Sequence, residues 1–110
     1  MTAGELLHIT TVANRDTWVM RLAGELDLSS AEQLDTAIAE ACADGARRLV
    51  IDMDELQFMD STGLRSLLVG LELCEVSGCQ LLIGAVSVPV ERLFSVSGVD
   101  QRLARLSDPA

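Results

Sequence analysis

Apolar residues recur along this chain with two periods, and the alternation between the periods sets out the elements. Leu6-Leu7-His8-Ile9-Thr10 and Thr17-Trp18-Val19-Met20-Arg21-Leu22 read as strands. Asn14-Arg15-Asp16 between them carries turn chemistry, which predicts a hairpin. A helical period follows in Ala31, Leu34, Ala37, Ile38, Ala41 and Cys42, which share one face. Ser29 with Glu32 three residues on has the form of a capping box at its start, and Gly45 is placed to end it in a left-handed turn. Arg48-Leu49-Val50-Ile51-Asp52 is apolar throughout its centre, the pattern of a strand buried on both faces. The helical period returns in Leu64, Leu67, Leu68 and Leu71 and runs out near Ser77-Gly78. Gln80-Leu81-Leu82-Ile83-Gly84 is a further buried strand. Ser87-Val88-Pro89 opens a short helix with Val90, Leu93, Phe94 and Val96 on its apolar side and Gly98 at its close. Arg102 to Leu106 fits a last helical turn or an edge strand equally, and Ser107-Asp108-Pro109-Ala110 reads as a frayed tail.

The order β-β-α-β-α-β-α predicts an α/β fold. Strands alternating with helices imply right-handed crossovers and a mixed, largely parallel sheet of about four or five strands with helices packed on it. The chain has 110 residues, which suits one domain over residues 1–110. Apolar residues make up 49% of it, enough to fill a core, but Trp18, Phe58 and Phe94 are the only aromatics. Leu, Val, Ile and Ala must therefore do most of the packing.

The formal charge of -9 excludes one class of partner. Every basic residue is Arg, and the few cations are scattered, so the clustered phosphate contacts of a nucleic-acid binder are not expected. Met1-Thr2-Ala3-Gly4-Glu5 has no basic region ahead of an apolar run, so no signal peptide is expected, and no apolar run suggests membrane insertion. Cys42, Cys74 and Cys79 form no CxxC pair; they read as small buried hydrophobes in a reducing cytoplasm.

Candidate chemistry narrows to one place. The single histidine, His8, lies in a strand that is wet on one face, and no Gly-x-Ser-x-Gly surrounds a serine, so a nucleophilic triad has no support. Metal-ligand spacing and phosphate-binding loops are also missing, and neither a cofactor nor enzyme activity is expected. Phe58-Met59-Asp60-Ser61-Thr62-Gly63-Leu64 remains, a small hydroxyl residue at the join between a buried strand and a helix start. Unpaired N–H groups and the positive end of the helix dipole meet there, which suits a capping hydroxyl, a bound anion or an attached phosphate. As a cap, Asp60 or Ser61 contributes about 1 kcal/mol. Gly63 costs about 0.8–1 kcal/mol relative to alanine in a helix, and it leaves Ser61 open to close approach by another molecule. Asp27 occupies the same kind of strand exit, as a cap, a turn residue or part of a binding edge.

Three blocks extend this reading. Gly24-Glu25-Leu26-Asp27, then Ile51-Asp52 with Phe58-Met59-Asp60-Ser61-Thr62-Gly63-Leu64, then Glu91-Arg92-Leu93-Phe94 with Ser97-Gly98-Val99, resemble the STAS domain. More narrowly, they are similar to the bacterial anti-sigma factor antagonists, and the resemblance spans about residues 5 to 106. It implies that Ser61 is phosphorylated by a partner serine kinase that is also the anti-sigma factor. It implies that the unphosphorylated form binds this kinase and frees a sigma factor, and that a PP2C-type phosphatase restores it. The surface implied comprises Asp27, Asp60, Ser61, Thr62, Gly63, Leu64, Arg65 and Leu68. Arg65 departs from the small residue common there in the family and is placed to alter partner choice or to pair with a phosphate on Ser61. A scaffold subunit of a stress-sensing or lipid-transport complex without direct sigma control is the alternative. The chain is expected in the cytoplasm, and a monomer is plausible.

Overall fold

The computed structural model describes residues 7–106. Two strands, β1 (His8–Asn14) and β2 (Thr17–Leu26), open the chain as an antiparallel hairpin. Its turn holds Arg15 in the left-handed region, at φ 59°. Helix α1 (Ala31–Ala43), strand β3 (Arg48–Met59), helix α2 (Ser61–Ser77), strand β4 (Gln80–Val86) and helix α3 (Val88–Ser97) follow. The sheet order is β1-β2-β3-β4, with β2, β3 and β4 parallel. The expected element order and mixed sheet are therefore present. Leu6 and the expected tail Ser107–Ala110 lie outside the described residues.

The core forms where both periods meet. Leu34, Ile38 and Ala41 of α1 and Leu64, Leu67, Leu71 and Cys74 of α2 pack with Met20, Leu22, Leu49, Ile51 and Ile83 of the sheet. Leu49, Val50 and Ile51 are all buried, as the apolar run predicts. Gly70 permits the close approach of the two helices, because a Cβ there would lie 2.5 Å from Ile38 Cδ1. Both helices end in a left-handed glycine, Gly45 at φ 90° and Gly78 at φ 79°. In each case the next N–H returns to a carbonyl five residues back, Ala46 to Ala41 at 3.0 Å and Cys79 to Cys74 at 2.8 Å.

Several details differ from the sequence pattern. Strand β3 runs seven residues beyond the expected Asp52, and β2 runs four beyond Leu22. The pairing explains why these ends were hidden. From Arg21↔Asp52 to Ala23↔Glu55, and again from Gly24↔Leu56 to Glu25↔Phe58, β3 advances one residue more than β2. Each extra residue is a bulge that turns the inward spacing from two to three, so Met53, Leu56 and Met59 face the core without strand periodicity. The capping box at Ser29 does not form. Ser30 is the N-cap of α1, without a side-chain cap bond, and Ser29 is held by Asp27 instead. Val96 is exposed, because Val90 and Phe94, one helical turn apart, define the buried side of α3.

The segment after α3 is neither a full helix nor a full strand. A short turn, Val99–Gln101, leads to one parallel bridge between Arg105 and Ile83. Arg105 fastens it with two bonds to Glu91, at 3.1 and 2.9 Å, and one to Asp100 at 2.8 Å. Its guanidinium also lies 5.6 Å from the Phe94 ring centroid.

Candidate functional site

The parallel strands β2 and β3 end side by side, since Leu26 pairs with Met59. The residues that follow, Asp27 and Asp60, therefore stand at one edge of the sheet. The Asp60 N–H donates to the Leu26 carbonyl at 3.3 Å and ties the two exits together.

Asp60 caps α2. Its backbone is extended, at φ -107° and ψ -172°, and its Oδ1 accepts the Gly63 N–H at 3.0 Å. The choice left open between Asp60 and Ser61 as cap is thus settled in favour of Asp60. Ser61 is the first helical residue and is exposed. Among the described residues, neither its hydroxyl nor the Ser61 and Thr62 N–H groups have a hydrogen-bond partner. A nucleophilic oxygen and two unpaired donors therefore share the positive end of a 17-residue helix.

Gly63 serves an internal purpose rather than an opening for a visitor. It is buried, and a Cβ there would lie 2.6 Å from the Leu26 carbonyl oxygen and 2.7 Å from Leu26 Cγ. Glycine lets the first turn of α2 rest on the end of β2. Leu64 is buried in the core, and Leu68 packs against it half-buried. The exposed side of the helix start consists of Ser61 and Arg65, one turn apart on one face, with Thr62 partly covered beside them. Arg65 has no ion pair among the described residues. Thr62 and Arg65 line a shallow depression of about 300 Å³ with Ala31, Asp35, Ser66 and Val69, between α1 and α2.

Asp27 is built into a turn. Its Oδ1 accepts from the Ser29 hydroxyl at 2.7 Å, the Ser29 N–H at 3.0 Å and the Ser30 hydroxyl at 3.3 Å. The Ser29 hydroxyl foremost holds its carboxyl below the usual range, against a smaller opposing effect of desolvation, so the site carries a negative charge at neutral pH.

Sequence reasoning gave no role to three members of this edge, although Phe58 stands in the candidate stretch. Ser30 is buried and locks the loop, donating to the Glu25 carbonyl at 2.8 Å and accepting the Asp27 N–H at 3.0 Å. The doublet Ser29-Ser30 was its only signal. Leu28, 80% exposed, and Phe58, 45% exposed, are large apolar side chains open to solvent beside Asp27 and Asp60. Their exposure became visible only with the ends of β2 and β3.

The comparisons agree with this geometry. A family model described as Mlab, STAS domain matches residues 9–106. The anti-sigma F factor antagonist of Paenibacillus polymyxa is 33% identical over 97 residues, which cover 84% of this chain and 80% of the relative. An anti-sigma factor antagonist from Mycobacterium paratuberculosis has the same fold, with TM-score 0.81 at 24% identity over 93% of this chain and 86% of that one. The anti-sigma factor antagonist SpoIIAA in its unphosphorylated form gives TM-score 0.73 at 27% identity over 93% and 89%. The Bacillus SpoIIAA in its phosphorylated form gives 0.67 at 26% over 93% and 92%. No described helix is long and apolar enough to cross a membrane. From the free serine at the strand–helix join to the match along almost all of its described residues, the chain belongs to the STAS domain family, whose relatives here are anti-sigma factor antagonists.

Proposed function

We propose that this protein is a non-enzymatic partner switch: unphosphorylated, it binds an anti-sigma factor serine kinase and frees a sigma factor, and phosphate on Ser61 ends the complex. One observation carries the reading. Asp60 takes the cap, which leaves the Ser61 hydroxyl exposed and uncommitted at the helix start. The phosphorylated form known for SpoIIAA makes covalent phosphate the natural use of such a hydroxyl.

The docking surface is Asp27 with its loop, Asp60, Ser61, Thr62 and Arg65, with Leu68 at its margin. Gly63 and Leu64 shape it from beneath. A phosphate adds about -1.5 to -2 charges beside two carboxylates. In the free protein the unpaired N–H groups and Arg65 offset that charge. Against a partner the same phosphate is desolvated among like charges. Inverting a 99:1 equilibrium takes about 5.5 kcal/mol, and repulsion and lost contacts together supply several of those without movement of the fold. A PP2C-type phosphatase resets the switch in the cytoplasm, and nucleotide and Mg²⁺ belong to the kinase.

Intact-mass analysis of the protein from its native cytoplasm, beside Ser61→Ala, tests this. The expected result is one phosphate on the wild type and none on the variant. A wild type without phosphate in every growth condition, with Ser61→Ala retaining every partner, would sink it. Stable co-purification in a larger assembly under those conditions favours the scaffold reading.

A further inference from the structure

The three cysteines, scattered in sequence, converge at the far end of α2 from Ser61. Their Sγ atoms all lie within 4.8 Å of one another, and those of Cys42 and Cys74 are 3.7 Å apart. Two helix ends bring this about. Cys42 lies in the last turn of α1, where Gly45 turns the chain away. Cys74 lies in the last turn of α2, and the left-handed Gly78 folds Cys79 back over it. That motif commonly joins its third-from-last and second-following residues by an apolar contact, and here both are cysteines.

Cys74 and Cys79 are buried and Cys42 is half-buried, which leaves one side of the cluster open. Burial foremost, then the neighbouring cysteines, raise the Cys74 thiol far above its ordinary range, and burial raises Cys79. Among the described residues no cation is bonded to the three sulfurs, so charge left at the cluster goes uncompensated. A soft, thiophilic centre is what three sulfurs select. Bonds of about 2.3 Å, the zinc–thiolate length, place bound sulfurs roughly 3.4–4.0 Å apart, within reach of the observed spacing. Charge then decides between centres. Three thiolates leave two negative charges on a monovalent ion such as Cu⁺ and one on Zn²⁺, which also takes a fourth ligand in closed sites. A trivalent metalloid forms three bonds and leaves none.

We propose that Cys42, Cys74 and Cys79 form a binding site for a trivalent thiophilic metalloid of the arsenite or antimonite class. With arsenite as the neutral hydroxide, three arsenic–oxygen bonds break and three arsenic–sulfur bonds form. Each thiol proton leaves with a hydroxide as water, and no electron is transferred. The product staples α1 to α2 and the turn before β4.

The probe is sodium arsenite, added to the reduced full-length protein with a phosphine reductant that does not compete as a dithiol. The expected results are one arsenic per chain by intact mass, protection of all three thiols from alkylation and a higher melting temperature. Cys42→Ser, at the half-exposed position, retains the fold by circular dichroism and loses affinity at least tenfold. Cys79→Ser does the same if folded. The absence of an adduct on the wild type, or unchanged affinity in a folded Cys42→Ser, overturns the site. Tighter binding of Zn²⁺ or Cu⁺ than of arsenite overturns the choice of ligand.

Discussion

Two joins in this molecule are written almost alike and serve differently. Asp27-Leu28-Ser29-Ser30 leads from β2 to α1, and Asp60-Ser61-Thr62-Gly63 leads from β3 to α2. Each places an aspartate at a parallel strand exit and serines at a helix start. At the first join Asp27 engages both serines, and Ser30 also reaches the Glu25 carbonyl, so every hydroxyl is used within the fold. At the second join Asp60 bonds the backbone of Gly63, and the serine is left over. The difference lies in what the carboxylate accepts. Where it takes hydroxyls as well as a backbone N–H, the serines are structural; where it takes a backbone N–H alone, the hydroxyl is available to chemistry.

The largest test of that contrast is binding. Ser61→Glu is expected to weaken the complex with the cognate anti-sigma kinase by about a hundredfold, or ~2.7 kcal/mol, in calorimetry. The corresponding Ser29→Glu should weaken it far less. Gly63→Ala comes next, at a cost of roughly 2–3 kcal/mol in urea unfolding, because the new methyl meets the backbone carbonyl of Leu26. Ser30→Ala should cost about 1–2 kcal/mol, since the Glu25 carbonyl and Asp27 N–H lose their partner. Ser61→Ala should stay within about 0.5 kcal/mol of the wild type. Equal losses for the two alanines would erase the distinction.

The smallest effect is one of pH. Asp27 has a lower pKa folded than unfolded, so its turn contributes fully at neutral pH. That contribution disappears as pH falls through the folded value. Amide exchange at Ser29 should accelerate, relative to the intrinsic rate, only at that acidic end, and Asp27→Asn should remove the dependence.

What could be read in the sequence followed from regular periods. The helices showed their faces in Leu34, Ile38, Leu64, Leu67 and Leu71, and left-handed glycines marked their ends. The Asp60-Ser61 join was legible because an apolar strand and an amphipathic helix flank it. The far half of β3 was not, since two bulges broke its alternation into steps of three. The partnership of Ser30 was hidden because Ser29 has the better local capping pattern, and a contact back to Glu25 outweighs it. The cysteine cluster was invisible because its spacing is tertiary: Cys42 meets Cys74 only once α1 lies on α2. Gly63 looked like an opening towards solvent, whereas its missing side chain is filled by Leu26.

The bridge from Arg105 to Ile83 bears on how the sheet ends. Strand β4 would otherwise offer a row of free donors and acceptors along its outer side. The Ile83 N–H instead donates to Ala104, and the Ile83 carbonyl accepts from Leu106, both at 2.8 Å. That border is capped near its middle, and Arg105 holds the cap down through Glu91 and Asp100. Among the described residues, β1 is then the open border, with six of its seven residues exposed. Among the described residues, an extra strand from a partner or from a neighbouring molecule in an aggregate finds its free edge along His8–Asn14, at the opposite side of the sheet from the capped border.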